Sequence, residues 1–419
     1  MAIFAGIVFI PWIAEHMVEQ IIVTSGEQLK NGLAFESIKP TSGNSFAKQV
    51  ENCIEQLYGF VFPKGESRYY ITQQTFFIAA KSRAEYEERA SLIRKKVTSC
   101  CGEMLPAASI VAQSPALGSE VVLELICTRA DKGKEVIYKS TGSSSYTLVN
   151  HGNFKVVHAT GLTGEAGDSI QASAEKAFES AVKILAQEGL TIGNIVRQWN
   201  YVEDIAHVED PAKTTQNYQV FNDVRAKFYR AETFPNGYPA ATGIGMATGG
   251  VIIGFIAVSD SDRVKVSPIR NPRQIDAHKY SEGVLVGRAT GIMGERCTPK
   301  FERGKMVVLD GTTHMYVSGT ASIVGEKTMH HQDVEKQTIT TIENIFGLFS
   351  GENQKILGVQ FDVNQIEFSH LRIYVKHQED FPRVEALCKS MLNSKSFLFL
   401  QSDICRENLL VEIEGIFSV

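Results

Sequence analysis

Apolar positions along this chain alternate between two periods, and the order of the alternation recurs. In Phe46 to Leu57 (FAKQVENCIEQL), Phe46, Val50, Ile54 and Leu57 fall at helical spacing. An aromatic and β-branched run, Tyr69 to Ala79, predicts a strand, and Glu85 to Cys101 predicts a second helix with Leu92 and Ile93 facing inward among charges. Two further strand-like runs, Ala107 to Gln113 and Glu120 to Cys127, complete the pattern. The same succession returns as helix Ala174 to Glu188, strand Ile195 to Ile205, helix Gln216 to Arg230, strand Ala240 to Met246 and strand Val251 to Val258. It returns again as helix Glu335 to Ser350, strand Phe368 to His377, helix Phe381 to Asn393, strand Phe397 to Gln401 and strand Leu409 to Ile416.

Each copy covers about 80 residues from first helix to last strand, a spacing that marks an internal repeat. Leading hairpins are predicted at Phe154 to Gly161 and Met306 to Thr320; the first copy's leader lies somewhere in residues 1 to 40. Such a β-β-α-β-α-β-β unit carries its helices on one sheet face and leaves the other face in need of a partner. Three units in one chain bury those faces against each other as a pseudo-threefold ring with clefts between neighbours. The expected division is 1–130, 131–270 and 271–419, an α/β (mixed-sheet) fold of three tandem units forming a pseudo-trimer.

Composition narrows the function classes. Hydrophobic residues at 43% and charged residues at 21% are those of a globular chain, and a net charge of -5 offers no basic surface to a nucleic acid. Seven cysteines of irregular spacing do not make a disulfide framework, which fits a cytoplasmic setting. The apolar run Ala2 to Ile13 is too short to span a bilayer, contains Pro11 and lacks a basic flank, so it reads as a buried N-terminal element and no membrane partner is expected. His330, His331 and Asp333 form no ligand set, because adjacent histidines on a loop point apart; no metal or organic cofactor is implied. Gly243, Gly245, Gly249 and Gly250 suggest close backbone approach, not a dinucleotide fingerprint.

The LVEIE core of Cys405 to Ile416 (CRENLLVEIEGI) is similar to the terminal strand of the Rid (YjgF-type) family, whose members are homotrimers of this unit. Imine deaminases of that family hold their substrate with the arginine of a Pro-Ala-Arg motif. Here the corresponding points read Pro106-Ala107-Ala108 and Pro239-Ala240-Ala241, with Phe397 in the third copy, so ordinary imine hydrolysis is not expected. Over roughly residues 135 to 419 the chain resembles the chorismatases, single-chain relatives of the Rid proteins. The resemblance is carried by VRQWNYVEDI (Val196 to Ile205), YQVFNDVRAKFY (Tyr218 to Tyr229), YPAATGIG (Tyr238 to Gly245), VSGTASIVG (Val317 to Gly325) and the Cys405 to Gly415 segment. It implies cleavage of the enolpyruvyl ether of chorismate to pyruvate and a hydroxybenzoate, with the 3-hydroxy isomer favoured.

Such a cleavage begins when an acid protonates the terminal methylene carbon, so the site needs a carboxyl still protonated near neutral pH and guanidinium groups for two carboxylates. Glu412 and Glu414 project to one strand face, where each raises the other's cost of ionisation; read alone, they better suit ordinary strand carboxylates hydrogen-bonded across a unit interface. The resemblance assigns Glu412 the proton-donor position. It pairs Cys405 with Ala321 as the combination that goes with hydroxybenzoate formation, in which the neighbouring ring hydroxyl and not water captures the side chain; Cys405 otherwise reads as a small buried hydrophobe. Arg303 and Arg225 are candidate carboxylate clamps, although Arg225 on a charged helix also suits a solvated side chain. The small residues of the Ser318 to Gly325 turn, Gly319, Thr320 and Ala321 among them, permit close approach of an anion, and Glu414 joins this substrate-binding group. Competing readings are a non-catalytic Rid-like module for small carboxylates or scaffolding, a deaminase with displaced groups, and a 4-hydroxybenzoate-forming chorismatase; a monomeric pseudo-trimer or a weak oligomer is expected.

Overall fold

Three mixed sheets, each with helices on one face, succeed one another along the chain in a computed structural model that describes residues 33–61, 69–101, 106–116, 118–129, 133–208, 215–287, 296–360, 362 and 365–418. The first unit holds β1 (Leu33–Ile38), α1 (Phe46–Val61), β2 (Tyr69–Ile78), α2 (Arg83–Cys101), β3 (Ala107–Val111) and β4 (Val121–Arg129), with strand order β1-β4-β2-β3. The second holds β5 (Glu135–Thr141), β6 (Ser144–Asn150), β7 (Lys155–Thr163), α3 (Ile170–Gln187), β8 (Ile195–Glu203), α4 (Asn217–Phe228), β9 (Ala240–Met246) and β10 (Val251–Val258), ordered β5-β6-β7-β10-β8-β9. The third holds β11 (Val264–Ile269), β12 (Gly304–Leu309), β13 (Thr312–Ala321), α5 (Val334–Gly347), α6 (Gly351–Leu357), β16 (Phe368–Val375), α7 (Phe381–Met391), β17 (Phe397–Gln401) and β18 (Val411–Ser418), ordered β11-β12-β13-β18-β16-β17. A small ribbon, β14 (Ile323–Val324) and β15 (Lys327–Thr328), follows β13.

The alternation that defines each strand decides which core its side chains enter. Within the units, α1 and α2, α3 and α4, and α5 and α7 each close an apolar cluster against their own sheet. Ser169 caps α3 through the Ala172 amide and Asp333 caps α5 through the Lys336 amide. The opposite sheet faces meet in a fourth cluster drawn from all three units, including Phe77 and Val122, Trp199 and Ile256, and Tyr374 and Leu400. At one end the units are knotted by backbone bonds: the Gly245 amide donates to Asp403 O at 2.8 Å, Ala247 to Ala112 O at 2.9 Å and Gln401 to Ser114 O at 2.8 Å. The Gln113 side chain, from the first unit, donates to Gly245 O at 2.5 Å and to Ser402 Oγ at 3.1 Å.

The leading elements differ from the predicted hairpins. Copies two and three each open with three strands, because β5 and β11 extend the sheets outward. The side chains of β5 are half-exposed to exposed throughout, and in β11 the alternation of Val264, Lys265, Val266 and Ser267 is cut short by Pro268, so neither run is long enough to identify a half-buried strand. In the first copy β1 pairs with β4, and the Ala2 to Ile13 run lies outside the described residues. Among the described residues no helix is long and apolar enough to cross a membrane.

Candidate active site

A large cleft lies between the second and third units and is built from β18 outward. Ile413 enters the helix-side core, so its neighbours Glu412 and Glu414 face the inter-unit side. Glu412 pairs with Ala321 of β13 and Tyr374 of β16. The β13 register slips between Val317 and Thr320, leaving Gly319 at an irregularity in the ladder. The carboxylate of Glu412 occupies the room this provides: a Cβ at Gly319 would collide with Glu412 Oε1 and lie 3.1 Å from Thr242 Cγ2.

Glu412 is 4% exposed and lines a cavity of about 890 Å³ together with Arg303, Cys405, Tyr218, Gly319 and Ala321. Burial, reinforced by the charge of Glu414, pushes its carboxyl up to about 8 against the opposing pull of Arg197 and Arg303. It is therefore a protonated acid at neutral pH. Glu414, expected in the substrate site, does not line this cavity. It is held behind Glu412 by Arg197 and Thr242, by Trp199 Nε1 at 3.1 Å, by Tyr374 Oη at 3.1 Å and by Arg372 Nη1 at 2.6 Å. Its contribution is the negative charge that it presents to Glu412.

Arg303 reaches the cavity from just before β12. Its Nη2 donates to Ile275 O and to Tyr280 Oη, the latter at 2.7 Å, and its guanidinium packs over the Tyr280 and Phe301 rings. Its Nε has no partner among the described residues, so donor capacity remains for an anion. Arg406 was not singled out from the sequence, yet its guanidinium lies 5.3 Å from the centroid of the same Tyr280 ring and lines the same cavity. The only signal was its place beside Cys405 in the β17–β18 turn.

Arg225 departs from both of its sequence readings. It is 1% exposed, neither solvated nor on the cavity wall, with Nη2 on Asn222 Oδ1, its guanidinium over Phe221 and Nε without a partner among the described residues. The inward face of α4 carries it beneath Tyr218 and Asn222, which form the wall in its place. Burial pulls its pKa down and the surrounding tyrosines, Tyr218 first, oppose that. Thr320 also faces away: its hydroxyl donates to Ser318 O at 2.8 Å, as alternation around Gly319 and Ala321 requires.

Cys405 lies on the cavity wall, with burial the main cause and Glu412 a second that push its thiol up to about 12. It is a neutral, space-filling group. Tyr218, missed in the sequence, packs against Gly243 of its own unit, where a Cβ would come 2.8 Å from its ring; at Gly245 a Cβ would come 2.6 Å from Asp403 O of the third unit. The glycines of β9 are thus explained by close approach, of a helix of the same unit at Gly243 and of a neighbouring unit at Gly245. By ladder register the places equivalent to Glu412 in the other two units are Val122 and Ile252, so one cleft in three carries the acid.

Residues 134–257 match the family described as chorismatase FkbO/Hyg5-like, N-terminal. A chorismatase of Streptomyces rapamycinicus is 35% identical over 227 residues, 53% of this chain and 64% of that protein, a span just short of two thirds of the relative. A 3-hydroxybenzoate synthase of Streptomyces hygroscopicus is 31% identical over 57% of this chain and 67% of its own length. A chorismatase of the same organism is 32% identical over 60% of this chain and 69% of its own length. A crystal structure of a chorismatase shares the fold over 92% of this chain and 98% of that one, with TM-score 0.64 and 22% identity. Sequence likeness extending over more than two thirds of a relative and a common architecture lead to one conclusion: the chain belongs to the chorismatase family.

Proposed function

We propose that this protein cleaves the enolpyruvyl ether of chorismate to pyruvate and 3-hydroxybenzoate, with Glu412 as the proton donor. The observation that carries the reading is a carboxyl raised to about 8 on the wall of a large cavity that also holds guanidinium groups. Protonation of the terminal methylene by Glu412 turns the enol ether into an oxocarbenium ion and leaves Glu412 as a carboxylate. Arg303 and Arg406, both packed on Tyr280, receive the two substrate carboxylates. Cys405 and Ala321 fill the wall beside the acid, which keeps water from the cation and gives the adjacent ring hydroxyl the advantage of proximity. Addition of that hydroxyl to the cation closes a ketal and returns the hydroxyl proton to Glu412; the captured oxygen then leaves the ring as the adjacent ring C–H proton is lost, which aromatises the ring, and collapse of the resulting hemiketal releases pyruvate and the phenol, which takes up that proton. The names of the relatives, chorismatase and 3-hydroxybenzoate synthase, support the substrate and the isomer.

Purified protein incubated with chorismate is expected to release pyruvate and 3-hydroxybenzoate in equal amounts, identified by chromatography. No pyruvate would reject the enzyme reading in favour of a binding module, and 4-hydroxybenzoate would reject the isomer alone.

A further inference from the structure

A second cavity, of about 200 Å³, lies where the three units meet, lined by Leu33 and Thr128 of the first, residues of β6, β7 and β10 of the second and of the β12–β13 hairpin of the third. Its walls are polar and apolar in about equal measure: Phe154, Val156, Ile256 and Leu309 make an apolar side, and three imidazoles stand among the polar groups, His151, His158 and His314. None of its lining residues belongs to the first cavity.

The polar groups are the informative part. His158 is 1% exposed and its Nδ1 has no partner among the described residues, an arrangement that costs stability unless something supplies the missing hydrogen bond. His314 is tied through Nδ1 to Ser418 Oγ at 2.9 Å, which fixes its ring, and His151 is stacked on Phe154 at 4.3 Å. Lys134 lines the same space and its charge bears on both His151 and His314. Asp310, the acidic residue on this wall, is paired with Arg263 at 2.8 Å, which offsets its charge. Burial, the largest cause in each case, holds His151 and His314 at about 4 and His158 at about 3, so all three present neutral rings, each able to donate one N–H and accept at the other nitrogen. Among the described residues no group of three His, Cys, Asp or Glu side chains is placed to hold a metal ion.

We infer that this axial cavity is a second binding site, for a small monocarboxylic acid with a compact apolar body, distinct from the catalytic cleft. The carboxylate meets the imidazole edges beside Lys134 and the body meets the aliphatic and aromatic wall. The volume lies below the ~300–1,000 Å³ typical of pockets for drug-sized molecules, which restricts the ligand to one ring or a short chain.

The test follows histidine ring resonances of the full-length protein while benzoate is added. Saturable shifts of His151, His158 and His314 are expected, with affinity reduced about tenfold in His158→Leu, the scale of one lost charge-assisted hydrogen bond. Should His158→Leu fail to fold, His151→Ala, at a partly exposed ring, is expected to weaken the same shifts several-fold. Shifts confined to His331 and His377, which line the first cavity, would overturn the proposal. So would no shifts at tens of millimolar benzoate, or unchanged affinity in the folded variants. Because the readout is binding and not pyruvate release, its failure is separable from that of the proposed reaction.

Discussion

Glu412 performs its assigned role only while it carries a proton. With its carboxyl at about 8, the acid form dominates at neutral pH, so kcat/KM is expected to be flat below that value and to fall about tenfold per pH unit above it. Glu412→Gln keeps the shape and removes the proton; a loss of about 10²- to 10⁴-fold in pyruvate release is expected, with the descending alkaline limb abolished. Pyruvate formation at the wild-type rate would assign the acid elsewhere. Cys405→Ala is expected to continue releasing pyruvate while the aromatic product gives way to a non-aromatic dihydrodiol, since the smaller residue admits water beside the cation. An unchanged hydroxybenzoate fraction would leave the thiol as packing only. Period-two alternation was enough to place Glu412 and Glu414 on one face, but their different fates depend on Arg197, more than 200 residues away in sequence, which no local pattern reveals.

At the scale of elements, the repeated helices and strands were legible because each presents one apolar face to its own unit's core. The misplacement of Arg225 shows the limit of that reading. Alternation of charge and aromatic residues in α4 describes an amphipathic helix but not which of its polar residues turns inward, and the aromatic residues Phe221, Tyr229 and Tyr238 enclose this one. Edge strands such as β5 were illegible for the complementary reason, having no buried face. The glycine at the β13 irregularity makes an element-level prediction. Gly319→Ala places a methyl group where Glu412 Oε1 now lies, and because β13 and β18 are held by their ladder on both sides the carboxyl must move, not the strands. Activity is expected to fall by at least 10²-fold while the circular dichroism spectrum is preserved, a misplacement cost typical of catalytic groups shifted by about 1 Å. Full activity in Gly319→Ala would show that the acid works from another rotamer.

Among the described residues the first unit contributes none to the cavity that holds Glu412, yet it supplies a charge to the centre of the molecule. Glu124 of β4 is bonded to His370 Nε2 at 2.8 Å and, through both oxygens, to Arg372, which also touches Tyr201 of the second unit and Glu414 of the third. Burial works against the charged form of Glu124, but Arg372 and then His370 outweigh it and hold the carboxyl at about 2. A depressed carboxyl of this kind contributes stability that is complete above its ordinary value of 4.5 and is lost as pH falls towards 2. At neutral pH, Glu124→Leu leaves two buried guanidiniums, Arg372 and Arg197, sharing the single carboxylate of Glu414, and is expected to lower the unfolding free energy by about 3–5 kcal/mol, measured by denaturant titration. Arg372→Met added to it removes the excess cation, and Glu414 keeps Arg197 as its partner. The double variant is therefore expected to recover most of that loss, because replacing both members of a buried pair by apolar groups is close to neutral whereas removing one is not. If the double variant were as unstable as the sum of its parts, the three-unit centre would depend on packing around each residue and not on the pairing of their charges.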